Sequence, residues 1–358
     1  MPPVPLIYCP RRLLCHYQAL GVYWASSERP AVPGSVRLKG ASRVDAAGQR
    51  YRVARSDYER AYRLLLEKWL SSRLIIEDRL RGVLSRLGDD ALPDVARFIV
   101  EGGKRFRGFL TIIMAEALGG RPEDAADAAA AIELVQAASL AIDDIIDRDT
   151  ERRGKASAWR RFGISRTILV SLILIPVAQR IVEKLGFTAL FHVIRSWEAT
   201  VRGEVADSIL ASRLGPDKYL RVIELKTAAL FKLATLLGAM SAGVRDRALL
   251  NRVGEYGRLL GIVYQIADDI ADYTRSDRHG PGEELFAKWA RTLDPQNPLE
   301  AAKNYLRTQL QLAAETARSI PSRDSGIAKL LEILPAFLVE KLFEEASLDP
   351  GHIFQVTD

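Results

Sequence analysis

Two copies of one acidic pattern stand at the ends of long apolar helical stretches: Asp143-Asp144-Ile145-Ile146-Asp147 and Asp268-Asp269-Ile270-Ala271-Asp272. Carboxylates in such places are costly unless something cationic binds them, so the pattern restricts how the two helices can meet. In each copy the first and last Asp form an i, i+4 pair and share one helical face. Two such faces turned towards each other would hold hard divalent cations. Mg²⁺ takes few protein carboxylates and completes its octahedron with water and phosphate oxygen, so the implied ligand is a metal-bound phosphate ester. A solvated helix end is the competing reading of either copy alone; the pair, with the residues around it, favours the metal.

The rest of the body is helical in pattern from Ser56 onward. Ser56-Asp57 reads as a cap for a helix carrying Tyr62, Leu65, Trp69, Leu74 and Ile75 at near-helical spacing. Gly, Pro and Asp punctuation then predicts helices over Asp94–Glu101, Lys104–Leu118, Glu123–Ile146, Gly163–Leu185, Phe187–Arg213, Pro216–Ala242 and Asp246–Tyr273. Shorter ones follow near Glu283–Arg291, Pro298–Arg318 and Ser325–Ala346. No stretch alternates with period two for long enough to argue a sheet. The fold class is all-α, a single bundle of many helices over residues 56–358. The joints at Gly215-Pro216 and Gly280-Pro281 are short, and Arg278–Gly282 is the expected mobile loop.

A net charge of +6 invites a nucleic-acid reading, so its location matters. Residues 1–55 hold nine Lys or Arg against Glu28 and Asp45, which leaves the body near neutral and disfavours nucleic acid as a partner. That segment also carries both cysteines and six of the sixteen prolines, and reads as a flexible basic extension. Two Cys make no disulfide framework, and a cytoplasmic location is expected. The longest apolar run, Ile168–Ala178, is interrupted by Ser171 and Pro176 and falls short of the ~20 residues a spanning helix needs.

Glycine-set basic clusters flank the first acidic one. Gly102-Gly103-Lys104-Arg105-Phe106-Arg107 precedes it and Arg152-Arg153-Gly154-Lys155 follows. Arg offers a planar fork for phosphate oxygens, and Gly lets backbone N–H groups approach them. Near the second cluster, Lys226-Thr227 interrupts an apolar helix and Gln265 lies one turn before Asp268. Such a lysine can snorkel to solvent, but beside metal-binding carboxylates it suits a diphosphate oxygen. Glu204 and Asp207 form a further acidic pair that could face either the cavity or the surface.

Taken together, Gly-Gly-Lys-Arg-x-Arg at 102–107, Asp-Asp-x-x-Asp with Arg-Arg-Gly at 143–154, Lys-Thr at 226–227 and Gln-x-x-Asp-Asp-x-x-Asp at 265–272 resemble the trans-isoprenyl diphosphate synthase family. The resemblance covers about residues 58–350 and is strongest to the archaeal hexaprenyl-type subgroup, through Ser-Leu-Ala-Ile-Asp-Asp, Ile-Glu-Leu-Lys-Thr and Leu-Pro-Ala-Phe-Leu. It implies a helical bundle around a central cavity, a homodimer, and condensation of isopentenyl diphosphate with an allylic diphosphate. It further implies that Gly103, Lys104, Arg107, Gln136 and Arg153 hold isopentenyl diphosphate, and that Arg152, Lys226, Thr227 and Gln265 meet the allylic diphosphate. Asp143, Asp147 and Asp268 would ligate Mg²⁺, with Asp144, Asp269 and Asp272 near it. Contact with a membrane would come at most through the product.

Three departures from the family stand out. Its Pro after the first basic motif is Gly108, and its Gly-Asp in the helix after the first acids is replaced within Leu169–Leu174 by apolar residues and Ser171. The Gly-Lys and Asp-Leu loop downstream of the second acids is missing, leaving Lys288 as the nearest cation to replace it. Product length reads from the wall below Asp143, where Ala138 and Ser139 stand one turn down and a short-chain synthase would carry an aromatic residue. Trp197, two turns before Glu204, is the candidate floor. A shorter-chain synthase and a non-catalytic subunit of a heteromeric synthase are the alternatives. A terpene cyclase would carry a different second metal motif.

Overall fold

The structure, a computed structural model, describes residues 55–88, 92–275 and 281–348. The expected extension, bar its last residue, and residues 278–280 of the expected loop lie outside them. The described residues belong to one compact unit, built from helices α1 (Arg55–Leu84), α2 (Leu92–Val100), α3 (Phe106–Ala117), α4 (Ala126–Ile146), α5 (Ala158–Phe162), α6 (Ile164–Val182) and α7 (Phe187–Glu204). They continue as α8 (Tyr219–Ile223), α9 (Ala229–Ser241), α10 (Arg247–Arg275), α11 (Pro281–Leu293), α12 (Pro298–Arg318) and α13 (Ser325–Glu345). Among the described residues no helix is long and apolar enough to cross a membrane.

Alanine places α4 at the centre. Ala128 to Ala131, Ala137, Ala138 and Ala141 are all buried, and side chains this small let α1, α3, α6 and α9 pack round the helix on several sides. The long helix α10 runs against α9, α12 and α13. Its approach depends on Gly261, where a Cβ would overlap Ala228. The first half of α10 joins an apolar cluster with α1 to α4, α6 and α9; its second half joins α8, α11 and α12 in another. Both acidic clusters therefore stand at the C-terminal ends of buried helices.

Two helices expected to be continuous are interrupted. A π-helical turn at Val205–Ile209 follows α7, and another at Glu224–Ala228 separates α8 from α9. Each inserts an extra residue per turn, a distortion frequent at functional sites, and the two turns carry Asp207, Lys226 and Thr227. The bundle also contains a two-residue antiparallel ladder, β1 (Glu151–Arg152) with β2 (Lys155–Ala156). Arg153 (φ 56°) and Gly154 (φ 71°) form its turn, both at positive φ as a type I′ hairpin requires.

Candidate active site

A cleft of about 600 Å³ opens where α4, α10 and the two π-helical turns meet; Asp147, Asp207, Lys226, Thr227, Gln265, Asp269 and Asp272 line it. Its walls come within reach because Gly203 packs directly on the backbone of Lys226, where any Cβ would overlap Lys226 N and Cα. Lys226 Nζ then lies 2.6 Å from Asp207 Oδ2 and 2.9 Å from Glu204 Oε2. Burial works against its charge, but Asp207, Glu204 and Asp143 outweigh it and keep the ammonium protonated. Glu204 and Asp207 thus both face inward, settling the choice their spacing left open.

Adjacent residues on one helix point about a quarter-turn or more apart, and the first acidic cluster shows it. Asp143 and Asp147 face Lys226 and Glu204. Burial and the Glu204 charge push the Asp143 carboxyl well above the usual range, with Lys226 acting in the opposite direction. Asp144 turns to the other side, where it is buried and accepts from Arg152. Arg152 therefore stands over a second, smaller cleft of about 170 Å³ with Arg153, Lys155 and Glu101. Arg153 Nη1 donates to Glu101 O at 2.5 Å. This arrangement separates Arg152 from the lining of the larger cleft, where its expected allylic role would put it.

The first basic cluster splits into two jobs. Arg105, 2 % exposed, pairs with Glu77 at 2.7 Å and Glu133 at 3.5 Å and donates to Val100 O, so it anchors the loop from below. Gly103 sits close beneath that guanidinium: a Cβ would lie 2.7 Å from Arg105 Nη1. Arg107 is the free member, its guanidinium 4.6 Å above the Phe231 ring and its Nε buried with no hydrogen-bond partner. Lys104 ion-pairs with Glu345 on α13, and both basic groups lower the charge cost of Asp268. Gln136 is half-buried one face round from Asp144 on α4. Gly108 also finds its reason, because its N–H donates to Glu133 Oε1 at 2.7 Å. A proline there would lack that donor.

At the second cluster Thr227 Oγ1 donates to Gln265 Oε1 at 2.5 Å, and Gln265 Nε2 donates to Asp269 Oδ1 at 3.0 Å. Tyr219 OH donates to the other oxygen, Oδ2, at 2.5 Å. Burial pushes Asp269 up to about 8, against the two hydrogen bonds, and Asp268 up to about 6, with Asp272 adding to the rise and Lys104, Arg107 and Arg275 opposing it. Lys288 pairs at 2.7 Å with Glu284 on its own helix, while Arg275 lies 3.7 Å from Asp272. Among the described residues, Arg275 is the cation that pairs with the second cluster. Sequence reading passed over Tyr219, Arg275 and Glu133; the seven-residue, two-turn spacing of Tyr219 from Lys226 was the one available signal.

Of the residues expected to set product length, Ala138 is fully buried and Ser139 nearly so, below Asp143 on α4. Trp197 on α7 is half-buried against the main core. Hard carboxylate oxygens converge here from two helices, a donor set suited to a divalent cation that keeps water or phosphate oxygens. Among the described residues no three such groups close into a ready cage.

Comparison with known proteins finds the polyprenyl synthetase family model matching residues 89–281. A hexaprenyl pyrophosphate synthase of Saccharolobus solfataricus is 34 % identical over 289 residues, spanning 80 % of this chain and 99 % of that protein. A geranylfarnesyl diphosphate synthase of Methanosarcina mazei is 27 % identical, over 77 % and 95 % of the two chains. Among solved structures, a polyprenyl synthase from Caulobacter crescentus complexed with calcium and isoprenyl diphosphate superposes with a TM-score of 0.60 at 27 % identity, over 79 % of this chain and 97 % of that one.

Proposed function

The chain belongs to the polyprenyl synthetase family and is a trans-prenyltransferase, and on that premise we propose that it extends farnesyl or geranylgeranyl diphosphate with isopentenyl diphosphate to an all-trans polyprenyl diphosphate of hexaprenyl length. The observation that carries this reading is one cleft lined by acids from both clusters and holding a lysine charged between Glu204 and Asp207. Asp143, Asp147 and Asp268 would hold Mg²⁺, with Asp269 and Asp272 beside them. When bound, the metal supplies positive charge to a departing diphosphate.

The side chains supply the rest. Lys226 can exchange a carboxylate partner for a diphosphate oxygen, with Thr227 and Gln265 next to it. Arg107 brings an unmet donor to the diphosphate of the isopentenyl substrate. Charge stabilised on the leaving diphosphate lets the allylic C–O bond ionise; the isopentenyl double bond attacks the carbocation, a C–C bond forms, and the released diphosphate takes the proton. Electrostatics, rather than a protein nucleophile, carries the reaction.

Two further features support the finer reading. Small buried residues below Asp143, Ala138 and Ser139, suit a long tail, as does the 34 % identity to a hexaprenyl synthase. The geranylfarnesyl relative favours a shorter product as the second reading. A homodimer is supported by an apolar stripe on α6 and α7, where Leu169, Leu172 and Phe187 are 58 %, 53 % and 79 % exposed; a patch of that kind favours a second copy. The apolar replacements in α6 then have a purpose. Sizing the dephosphorylated product by chromatography tests the length: thirty carbons is expected, and twenty or twenty-five selects the shorter reading. Trp197→Ala should lengthen the product, and unchanged length in an active variant rejects Trp197 as the floor.

A further inference from the structure

Tyr219 is 2 % exposed, at the start of α8. Its ring is stacked on Trp289 (centroids 4.5 Å apart, planes at 28°) and meets Phe286 edge-on at 5.7 Å. Both partners belong to α11, the helix that follows the second acidic cluster. Trp289 is braced in turn by Tyr305 at 5.2 Å and 88°. An aromatic ring held on two sides by other rings keeps one orientation. The phenol OH is thereby aimed at one place, Asp269 Oδ2, at 2.5 Å. Gln265 holds the opposite oxygen at 3.0 Å. A carboxyl group with a donor on each oxygen has a fixed plane, and neither donor is a cation, so no protein charge competes with a metal for Asp269 in the cleft that it lines.

The segment after the second acidic cluster lacks its usual lysine loop, and Lys288 of α11 is committed to Glu284. What α11 does present towards the cluster is the aromatic pair Phe286 and Trp289. Resting on the prenyltransferase reading above, we propose that Tyr219 is a positioning residue for the second metal-binding cluster, its hydroxyl aimed by Phe286 and Trp289 so that Asp269 is locked in the orientation that receives the metal–diphosphate. The helix α11 thus acts on the site through aromatic packing where a lysine would act through charge.

Tyr219→Phe keeps the stack and deletes only the donor. Outer partners of metal ligands are commonly worth 10- to 100-fold in metal affinity. We therefore expect Mn²⁺ binding in the presence of inorganic diphosphate, followed by electron paramagnetic resonance, to weaken by about tenfold or more, with the melting temperature nearly unchanged. In turnover, the half-saturating metal concentration should rise more than kcat falls. Trp289→Leu should weaken Mn²⁺ binding in the same direction, and the double variant should add little, because both act through one hydrogen bond. Lys288→Ala should leave Mn²⁺ binding unchanged. Wild-type affinity in folded Tyr219→Phe overturns the proposal, as does full additivity of the two variants, loss of binding in Lys288→Ala, or a wild type that binds no Mn²⁺ with diphosphate. A wild type that binds Mn²⁺ and diphosphate, and shows the Tyr219 effect, but condenses no prenyl diphosphate refutes the prenyltransferase reading and leaves the positioning role standing.

Discussion

Replacing Lys226 by Met removes the cation from between Glu204 and Asp207 while keeping most of the side-chain volume. The Lys226 side chain is 26 % exposed, and those of its partners Glu204 and Asp207 are 10 % and 22 % exposed. Breaking a fully buried pair costs roughly 3–5 kcal/mol; allowing for this partial solvent access, about 2–3 kcal/mol is expected. Asp143, which also feels the lysine, joins the two acids left unbalanced. For a chain of this size that corresponds to a fall in melting temperature of about 5 °C. Calorimetry in chelator at pH 8 measures it. Because burial already raises Asp143 and Lys226 opposes that rise, Asp143 should hold its proton more readily once the lysine is gone, so the loss should shrink as the pH is lowered, and Glu204→Gln in the Lys226→Met background should recover part of it. Activity should fall about 100-fold or more, the scale of one lost electrostatic donor. Unchanged melting together with additive effects of Lys226→Met and Glu204→Gln would show that the lysine is not held as described.

Metal-free protein should also report its buried acids directly. Asp268 and Asp269 retain protons up to about 6 and about 8, whereas the unfolded chain releases them near the ordinary 3.8. The folded state then binds more protons through this window, so stability is greatest on the acid side and declines as pH rises through 6 and 8. Melting temperatures in chelator should drop from pH 6 to pH 8, and Mg²⁺ with inorganic diphosphate should flatten the trend; a rise over that interval is the opposing result. Gly108→Pro should destabilise by about 1–3 kcal/mol, because it strips the donor from buried Glu133; urea unfolding checks this, and wild-type stability would count against it. Leu169→Glu should convert a dimer to monomer in light scattering if the α6–α7 stripe is the interface, and an unchanged mass would exclude that face.

Much of this organisation is legible from local rules. Pro298 to Arg318 is a helix from its N-terminal Pro to its last basic turn, as the punctuation implies, and the i, i+4 spacing already put Asp143 and Asp147 on one face; Asp144, expected near the metal with them, is instead buried on the other side against Arg152. The rest depends on partners distant in sequence. Arg105 and Arg107 are two positions apart and chemically alike, yet one is consumed by Glu77 and Glu133 while the other stays free; nothing in the spacing distinguishes them. Lys288 pairs with Glu284 one turn away on its own helix, a local pairing visible in the sequence. The π-helical turns leave no compositional trace, but they turn Asp207 and Lys226 towards each other.

Condensation at the paired acid clusters is the central claim for this protein. Purified protein with labelled isopentenyl diphosphate, Mg²⁺ and allylic primers of increasing length should yield a labelled polyprenyl diphosphate, and Asp143→Ala or Asp268→Ala should abolish it while leaving the protein folded. Failure of the folded wild type to extend any primer would contradict the account and leave a non-catalytic subunit as the better description.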